Sequence, residues 1–351
     1  MDLHFFAASN SAEGFKSYYP EVFARADLLY VIKGGPGTGK SSFMKRYALR
    51  AEALGQRCEY YRCSSDPSSL DGLLIFGEGG VTGFVDGTSP HVCEPVLPGA
   101  REEIVNLGEY WNGELLRQQK NEIRALAERK GAEYKSAYTY LRSVGNLRAV
   151  REGLLKDAIL WDKIKSAAEK YVKNYKSGKM RLIPAIIDSV SMCGCVRLDS
   201  FETGAKEIYW VSDFYGVGNV FLGVLLSALK DKEVNLRVSF DPVSPEMVDG
   251  IYIEDFDVAF VIARDIQYVE DFCAKNSEKI NIMLNSKRYV DTERFKDVRS
   301  ELRYTAKLAQ SSLDGALHAL SKARIYHFLL EDIYCKAMDF QRLSEIRIEI
   351  L

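Results

Sequence analysis

The chain has 351 residues and a formal net charge of −2. Two domains of roughly 150 to 200 residues are expected at this length, and the near-neutral charge does not indicate nucleic-acid binding through overall electrostatics. No apolar run is long enough to cross a bilayer, and the N-terminus lacks the basic start of a signal peptide. We therefore expect a cytoplasmic protein with no membrane association.

The first predicted elements are a strand at 28–33, a glycine-rich loop and a helix at 41–54. The loop fits the Walker A pattern, in which glycine, four residues and G-K-S follow one another. Its backbone N–H groups can turn towards phosphate oxygens, Lys40 can reach the β- and γ-phosphates, and Ser41 can bind Mg²⁺. The positive end of the helix points to the same place. The predicted ATP-binding residues are Gly34, Gly35, Pro36, Gly37, Thr38, Gly39, Lys40, Ser41 and Ser42.

Further strands are predicted at 58–63 and 81–85. Asp86 ends the second of these as the acid of a Walker B element does, where it would hold Mg²⁺ directly or through water. The alternative is a turn residue before Gly87. Open α/β sheets bind ligands at such strand ends, and the next residues resemble the D-G-x-P-R turn of adenylate-kinase-like enzymes, with His91 in place of the arginine. His91 would contact a second substrate or orient a water; the alternative is a surface histidine.

A short helix is predicted near 101–107, and a helical arm or hairpin from 112 to about 176, where apolar residues recur at helical spacing. The arms carry many cations, which either close over a nucleotide as a lid or arginine finger or form solvated helix faces. The arms are also candidate surfaces for a protein partner. The cations are Arg117, Lys120, Arg124, Arg129 and Lys130 in the first arm and Arg294, Lys296, Arg299 and Arg303 in the second.

The second half repeats this order of elements. Gly37 and Gly39 align with Gly216 and Gly218, a displacement of 179 residues (216 − 37), and the same displacement returns in the arm, where Glu152 aligns with Glu331. We interpret the chain as a tandem duplication. The predicted fold is α/β, with two P-loop NTPase-like three-layer domains packed as a pseudo-dimer, residues 1–178 and 179–351, each ending in a helical arm.

The duplication distinguishes residues needed for the fold from residues needed for chemistry. At this displacement the second loop has lost its lysine and its serine, and the strand-ending acid has gone with them. Triphosphate binding should therefore be lost there, which makes the second half structural or regulatory. The replacements are Gly34 by Asp213, Lys40 by Asn219, Ser41 by Val220 and Asp86 by Ile262.

Two acids of the first half recur in the second. Asp66 and Asp71 align with Asp241 and Asp249, which favours a turn or capping role for both. Asp66 still follows a predicted strand and remains a secondary candidate for the site.

The chain has seven cysteines without paired metal-ligand spacings, which is typical of reduced thiols. The pair Cys193 and Cys195 is either a redox or metal half-site or, as we expect, two small residues in a buried strand.

Several segments resemble a poorly characterised bacterial family of tandem P-loop ATP-binding proteins. They are His4 to Asn10, Lys33 to Ser41, Cys63 to Pro67, Ser69 to Gly72, Asp86 to His91, Pro98 to Ala100 and Asn106 to Glu109. The resemblance implies two P-loop domains, ATP binding, and an activity described no more sharply than ATPase or nucleotide-kinase-like. The second loop departs from the family pattern, which argues against two alternating sites.

The sequence therefore predicts one Mg·ATP site in the first half, with Lys40, Asp86 and His91 as catalytic residues and with Ser41 and Asp86 as Mg²⁺ ligands. Hydrolysis of ATP is the favoured reaction. The alternatives are a kinase that uses residues 86–91 for a small-molecule or nucleotide acceptor, and a non-hydrolysing ATP sensor or scaffold.

Overall fold

A computed structural model describes residues 3–89, 92–176, 178 and 180–351. It is an α/β structure in two similar halves, as predicted, and each half contains a six-stranded mixed sheet. The strands are β1 (Leu3–Phe6), β2 (Ala8–Ser11), β3 (Gly14–Ser17), β4 (Leu28–Lys33), β5 (Arg57–Arg62), β6 (Leu70–Gly77), β7 (Gly80–Asp86), β8 (Glu102–Asn106), β9 (Arg181–Pro184), β10 (Asp188–Ser191), β11 (Gly194–Arg197), β12 (Glu207–Ser212), β13 (Asn235–Phe240), β14 (Val248–Ile253), β15 (Val258–Ala263) and β16 (Ile280–Leu284). The helices are α1 (Tyr19–Phe23), α2 (Lys40–Ala53), α3 (Gly113–Gln118), α4 (Lys120–Leu155), α5 (Trp161–Val172), α6 (Ser200–Gly204), α7 (Val217–Lys230), α8 (Ile266–Lys275), α9 (Thr292–Ala337) and α10 (Phe340–Ser344).

The two sheets have the same topology. The strand order is β1-β5-β6-β7-β4-β8 in the first and β9-β13-β14-β15-β12-β16 in the second. In each sheet the third strand is antiparallel to both neighbours and every other pair is parallel. Each half also carries a small hairpin, β2 with β3 and β10 with β11. The repeat that the sequence indicates is thus present strand for strand, although α8, between β15 and β16, has no counterpart among the described residues between β7 and β8.

Strand β4 positions the glycine-rich loop. Its run from Leu29 to Ile32 is buried, as expected for a parallel strand covered on both faces. It lies between β7 and β8, and Ile32 pairs with Asp86 at the end of β7. Because parallel strands end at the same edge of a sheet, Asp86 lies beside the start of the loop.

A shared core joins the halves, and each sheet has a second core on its other face. The shared core includes Phe5, Phe6 and Val31 of the first half and Ile186 and Trp210 of the second. The outer face of the first sheet packs against α2 and α10. The outer face of the second packs against α7 and α5, so α5 lies on the second half although it follows the first arm.

The arms α4 and α9 form the most extensive helix pair and run antiparallel. Two isolated bridges tie their ends to the opposite halves: Trp111 pairs with Met338, and Ile159 pairs with Val290. Adding 179 to Trp111 and to Ile159 gives Val290 and Met338, so a pseudo-twofold axis relates the two halves. The first arm therefore ends against the second half, and the second arm ends against the first half. Among the described helices, these long ones included, none is apolar enough over a sufficient length to cross a bilayer.

Two local predictions are wrong. The segment predicted as a helix near 101–107 contains strand β8, at one edge of the first sheet. Cys193 and Cys195 do not lie in a buried strand: both are exposed, where β10 turns into β11. Gly194 adopts φ +107° at this turn, and a residue free to adopt such a φ is what a tight hairpin connection requires.

Candidate functional site

A cavity of about 690 Å³ opens at the end of β4. We call it the loop cavity, and the segment Gly34–Ser41 the glycine loop. Pro36 to Ser42 line the cavity from one side, and Asp86 and Thr88 line it from the end of β7. The structure thus brings the two predicted sequence motifs together in one space.

The glycine loop is a compact turn between β4 and α2. Gly37 and Gly39 adopt φ values of +67° and +86°, and the buried Thr38 hydroxyl donates to the carbonyl oxygen of Gly35 at 2.9 Å. Helix α2 begins at Lys40, and no side chain caps its N-terminus. In the part of the chain that the structure describes, the backbone N–H groups of Gly39 to Ser42 donate to no protein acceptor. Free N–H groups at a helix N-terminus favour an anion.

Lys40 folds back over the loop. Its Nζ donates to the carbonyl oxygens of Gly34 and Gly35, at 3.1 and 2.7 Å, and lies 3.5 Å from Oδ2 of Asp86. Oδ1 of Asp86 accepts from the backbone N–H of Thr88. Asp86 therefore makes the turn contact of the alternative interpretation and also lies beside the loop lysine.

Ser41 lies where α2 meets the start of β6. Its Oγ accepts from the backbone N–H of Leu70 at 3.0 Å, and the residue lines the loop cavity. A hydroxyl oxygen has two lone pairs and its own proton, so this contact leaves it able to bind a cation. The donor set suits Mg²⁺, which binds one or two protein oxygens together with substrate phosphates.

Both arms supply walls of the cavity. Helix α4 contributes Lys130, Tyr134 and Tyr138, and α9 contributes His327, Glu331 and Cys335. The second arm also touches the loop, since the Cys335 thiol donates to the carbonyl oxygen of Gly37 at 3.0 Å. A Cβ at Gly37 would lie 2.5 Å from the Glu331 carbonyl oxygen. Glycine is needed there for the close approach of α9 as well as for its φ.

Lys130 has an altered charge environment. Burial lowers the pKa of its ammonium group, Glu331 opposes that effect, and Lys40 adds to it. Two lysines and one acid thus influence one another across the cavity. The polar wall also holds Asp66 and Asp71.

The matching loop of the second half shows that the sequence alignment is wrong by one residue. Phe221 and Leu222 of α7 take the buried places of Phe43 and Met44 of α2, a displacement of 178. The Asn219 amide contacts Val248 at the start of β14, as Ser41 contacts Leu70. Asn219 therefore replaces Ser41, and Gly218 replaces Lys40. The second loop is one residue shorter than the first. Aligning Gly216 and Gly218 with Gly37 and Gly39 therefore gave the wrong register.

The second loop is filled by its own side chains. Oδ1 of Asp213 accepts from the backbone N–H of Gly216 at 3.0 Å. Arg264 extends from the end of β15 to Asp241 and Asp249, at 2.6 and 2.5 Å, and Arg148 of the first arm also pairs with Asp241. The space left among these residues is about 30 Å³. A carboxylate and an ion-pair network thus occupy the region that corresponds to the open cavity.

The other predicted residues have different positions. His91 lies outside the described residues. Asp66 accepts from Ser68 and Ser69, which is the turn role predicted for it. Its predicted alignment with Asp241 is wrong, because matching backbone hydrogen bonds make Asp241 the equivalent of Cys63 and Ser244 the equivalent of Asp66. Of the nine arm cations named from the sequence, Lys130 lines the loop cavity and the others are exposed.

Sequence reasoning missed part of the cavity wall. The residues it did not place there include Phe15, Tyr134, Tyr138, Met192, His327, Glu331, Cys335 and Phe340. They come from the hairpins, the arms and α10, far from the loop in sequence. No motif in the sequence indicates them.

No family model, curated protein or solved structure matches the chain. The geometry of the loop cavity is therefore the basis for any functional assignment.

Proposed function

We propose that the protein binds Mg·ATP at the glycine loop of its first half and hydrolyses it, and that the second half is structural or regulatory. The observation that carries the proposal is the free N-terminus of α2 beside Lys40 and Asp86, facing an open cavity of about 690 Å³. The closed second loop, with about 30 Å³, supports a single site. In this proposal each half is a P-loop-type domain, in keeping with the tandem family that the sequence resembles.

The residues around the cavity would divide the work. The N–H groups of Gly39 to Ser42 and the Lys40 ammonium would bind phosphate oxygens and stabilise the charge that develops on the transferred group. Ser41 and Asp86 would hold Mg²⁺, which neutralises charge on the bound phosphates. On nucleotide binding, Lys40 would exchange its two carbonyl partners for phosphate oxygens.

In the proposed reaction a water oxygen attacks the γ-phosphorus, and the bond from that phosphorus to the bridging oxygen breaks. ADP leaves with the bonding electrons. The attacking water gives up a proton, and the products are ADP, inorganic phosphate and that proton. Loop, lysine and metal would act by positioning and electrostatic stabilisation, as in other phosphoryl transfers.

A second candidate is transfer to a small-molecule acceptor. It is favoured by the lining of the cavity, where Phe15, Tyr134, Tyr138 and Met192 border the same space as hydroxyl and carboxylate groups. Apolar rings with a few polar groups are typical of small-molecule sites. In this alternative the cavity would hold an acceptor as well as the nucleotide bound at the glycine loop.

Binding of ATP with Mg²⁺, measured by titration calorimetry, tests the site. Lys40→Ala should lower the affinity by on the order of a hundredfold, since it removes charge-assisted hydrogen bonds. Asn219→Ala, in the closed second loop, should change it little. Equal losses in the two variants, with unfolding temperatures unchanged, would contradict the single-site proposal.

Product analysis separates the reactions. Phosphate release from Mg·ATP by the wild-type protein alone supports hydrolysis. If ADP forms only after a panel of nucleotides and metabolites is added, the protein is a kinase. Binding without either product identifies a sensor.

A further inference from the structure

We propose that Lys130, supplied by the first arm, binds the terminal phosphate of the nucleotide opposite Lys40 and makes the site select a triphosphate over a diphosphate. The inference rests on the proposed function and adds a specificity-determining residue to it. Lys130 lies 90 residues beyond Lys40 in the chain and belongs to α4 rather than to the glycine loop.

The position of Lys130 supports this role. It is half-buried on a helix whose other named cations are exposed, and it lines the loop cavity together with Lys40, Lys45 and Asp86. An ordinary surface lysine would extend its ammonium group into water, because burying that group without a partner is costly. Lys130 is instead half-buried and lines a space that the loop lysine also lines.

The charges around Lys130 indicate an anionic ligand. Burial and the nearby Lys40 both disfavour its charged form, while Glu331 favours it. Both lysines line the same cavity, and an anion bound between two like charges offsets their repulsion. Lys40 of a Walker A loop reaches the β- and γ-phosphates, so a cation close to it is placed for the outer end of the nucleotide.

The second half provides an internal comparison. The reciprocal bridges at the arm ends fix the arm displacement at 179 residues, and Ala309 of α9 is then the counterpart of Lys130. Ala309 is buried in the contact between the arms and Val243. The equivalent of Lys130 is therefore not a cation at the loop that has also lost its lysine and its acid, where Arg148 of the other arm pairs with Asp241 instead. This joint loss is expected if all three serve one ligand.

Calorimetric titration with a non-hydrolysable ATP analogue and with ADP, each with Mg²⁺, tests the role without depending on turnover. Lys130→Ala should weaken binding of the analogue by about ten- to a hundredfold, the effect of one charge-assisted hydrogen bond, and leave ADP binding nearly unchanged. Lys135→Ala, on the exposed face of the same helix, is the matched control and should affect neither ligand. Lys130→Arg should restore part of the preference.

The outcomes separate this inference from the proposed function. If the wild type binds both nucleotides and Lys130→Ala keeps the wild-type ratio of affinities, Lys130 has no such role and the proposed function stands. If the wild type binds neither nucleotide, both proposals fail. Thermal unfolding of each variant shows whether a loss of binding reflects loss of the fold. If Lys130→Ala is unfolded, the comparison is made with Lys130→Met, which keeps the apolar stem of the side chain.

Discussion

Single residues account for the difference between the two loops. Lys40 and Asp86 of the first half correspond to Gly218 and Ile262 of the second. A Cβ at Gly218 would lie 2.7 Å from the carbonyl oxygen of Ser212 and 2.9 Å from Cδ1 of Ile262. The second loop therefore has no room for a lysine, so its loss is a matter of packing as well as of charge. Replacing one residue there would not restore a binding site.

A substitution at Gly37 tests the contact between the glycine loop and α9. Gly37→Ala should lower the thermal midpoint more than Gly55→Ala does. Both glycines have positive φ, at +67° and +76°, and alanine there costs about 1–2 kcal/mol. The added Cβ meets the backbone of Glu331 in the first case and has no neighbour within 4 Å in the second. Equal decreases in the thermal midpoint of the two variants, measured by differential scanning calorimetry, would show that contact with α9 does not exclude a Cβ at residue 37.

At the scale of elements, each arm is followed by a short helix that packs on the other half. Helix α5 follows the first arm and packs in the core of the second half, where Ile164 is fully buried. Helix α10 follows the second arm and places Leu343 in the core of the first half. Ile164 and Leu343 differ by the arm displacement of 179. Each sheet is therefore covered in part by the short helix that follows the arm of the other half.

Reciprocal substitutions test this exchange. Ile164→Ala, which removes about 2–5 kcal/mol of local packing, should increase hydrogen exchange in α7 and β14. Leu343→Ala should do so in α2 and β6. Hydrogen exchange followed by mass spectrometry gives both patterns, and each variant is the control for the other. Faster exchange in α2 for Ile164→Ala, with α7 unaffected, would contradict the exchanged packing.

At the scale of the whole molecule, an ion network joins the halves at the pseudo-twofold axis. Glu59 is fully buried and binds Arg25 at 2.6 Å and Arg237 of the other half at 2.7 Å. Glu59 and Arg237 occupy equivalent positions in β5 and β13, at a displacement of 178. Two identical halves would bring like charges together here, so the opposite charges favour pairing between unlike halves.

The network should make stability depend on pH. Burial opposes ionisation of Glu59, but Arg237 and Arg25 outweigh it and lower its pKa well below the usual 4.5. The stabilisation is therefore complete above about pH 4.5 and is lost as the pH falls towards the lower folded-state pKa. Glu59→Gln should cost about 3–5 kcal/mol at pH 7, and its gap from the wild type should narrow below pH 4.5. Urea unfolding at pH 7, 5 and 4 measures this, and a gap that widens on acidification would contradict it.

The sequence predicted much of this architecture, because the repeat, the glycine loop and the arm helices are carried by local patterns. Strand β8 was predicted as a helix. Its Glu103 is exposed at the edge of the sheet, where charges are tolerated, and its buried Glu102 pairs with Arg101. The shortened second loop was missed because its two glycines align at the wrong register. The exchange of α5 and α10 could not be predicted, since an amphipathic face shows that a helix packs but not against which half.

The contact between α9 and the glycine loop also sets an order in time during synthesis. Cys335 and Gly37 are 298 residues apart, and translation at about 5–20 residues per second takes roughly 15 to 60 s over that length. During this interval the nascent first half can form β4 to β8, but α9, which lines part of the loop cavity, has not yet been synthesised. The cavity reaches its final shape only after the last long helix has left the ribosome.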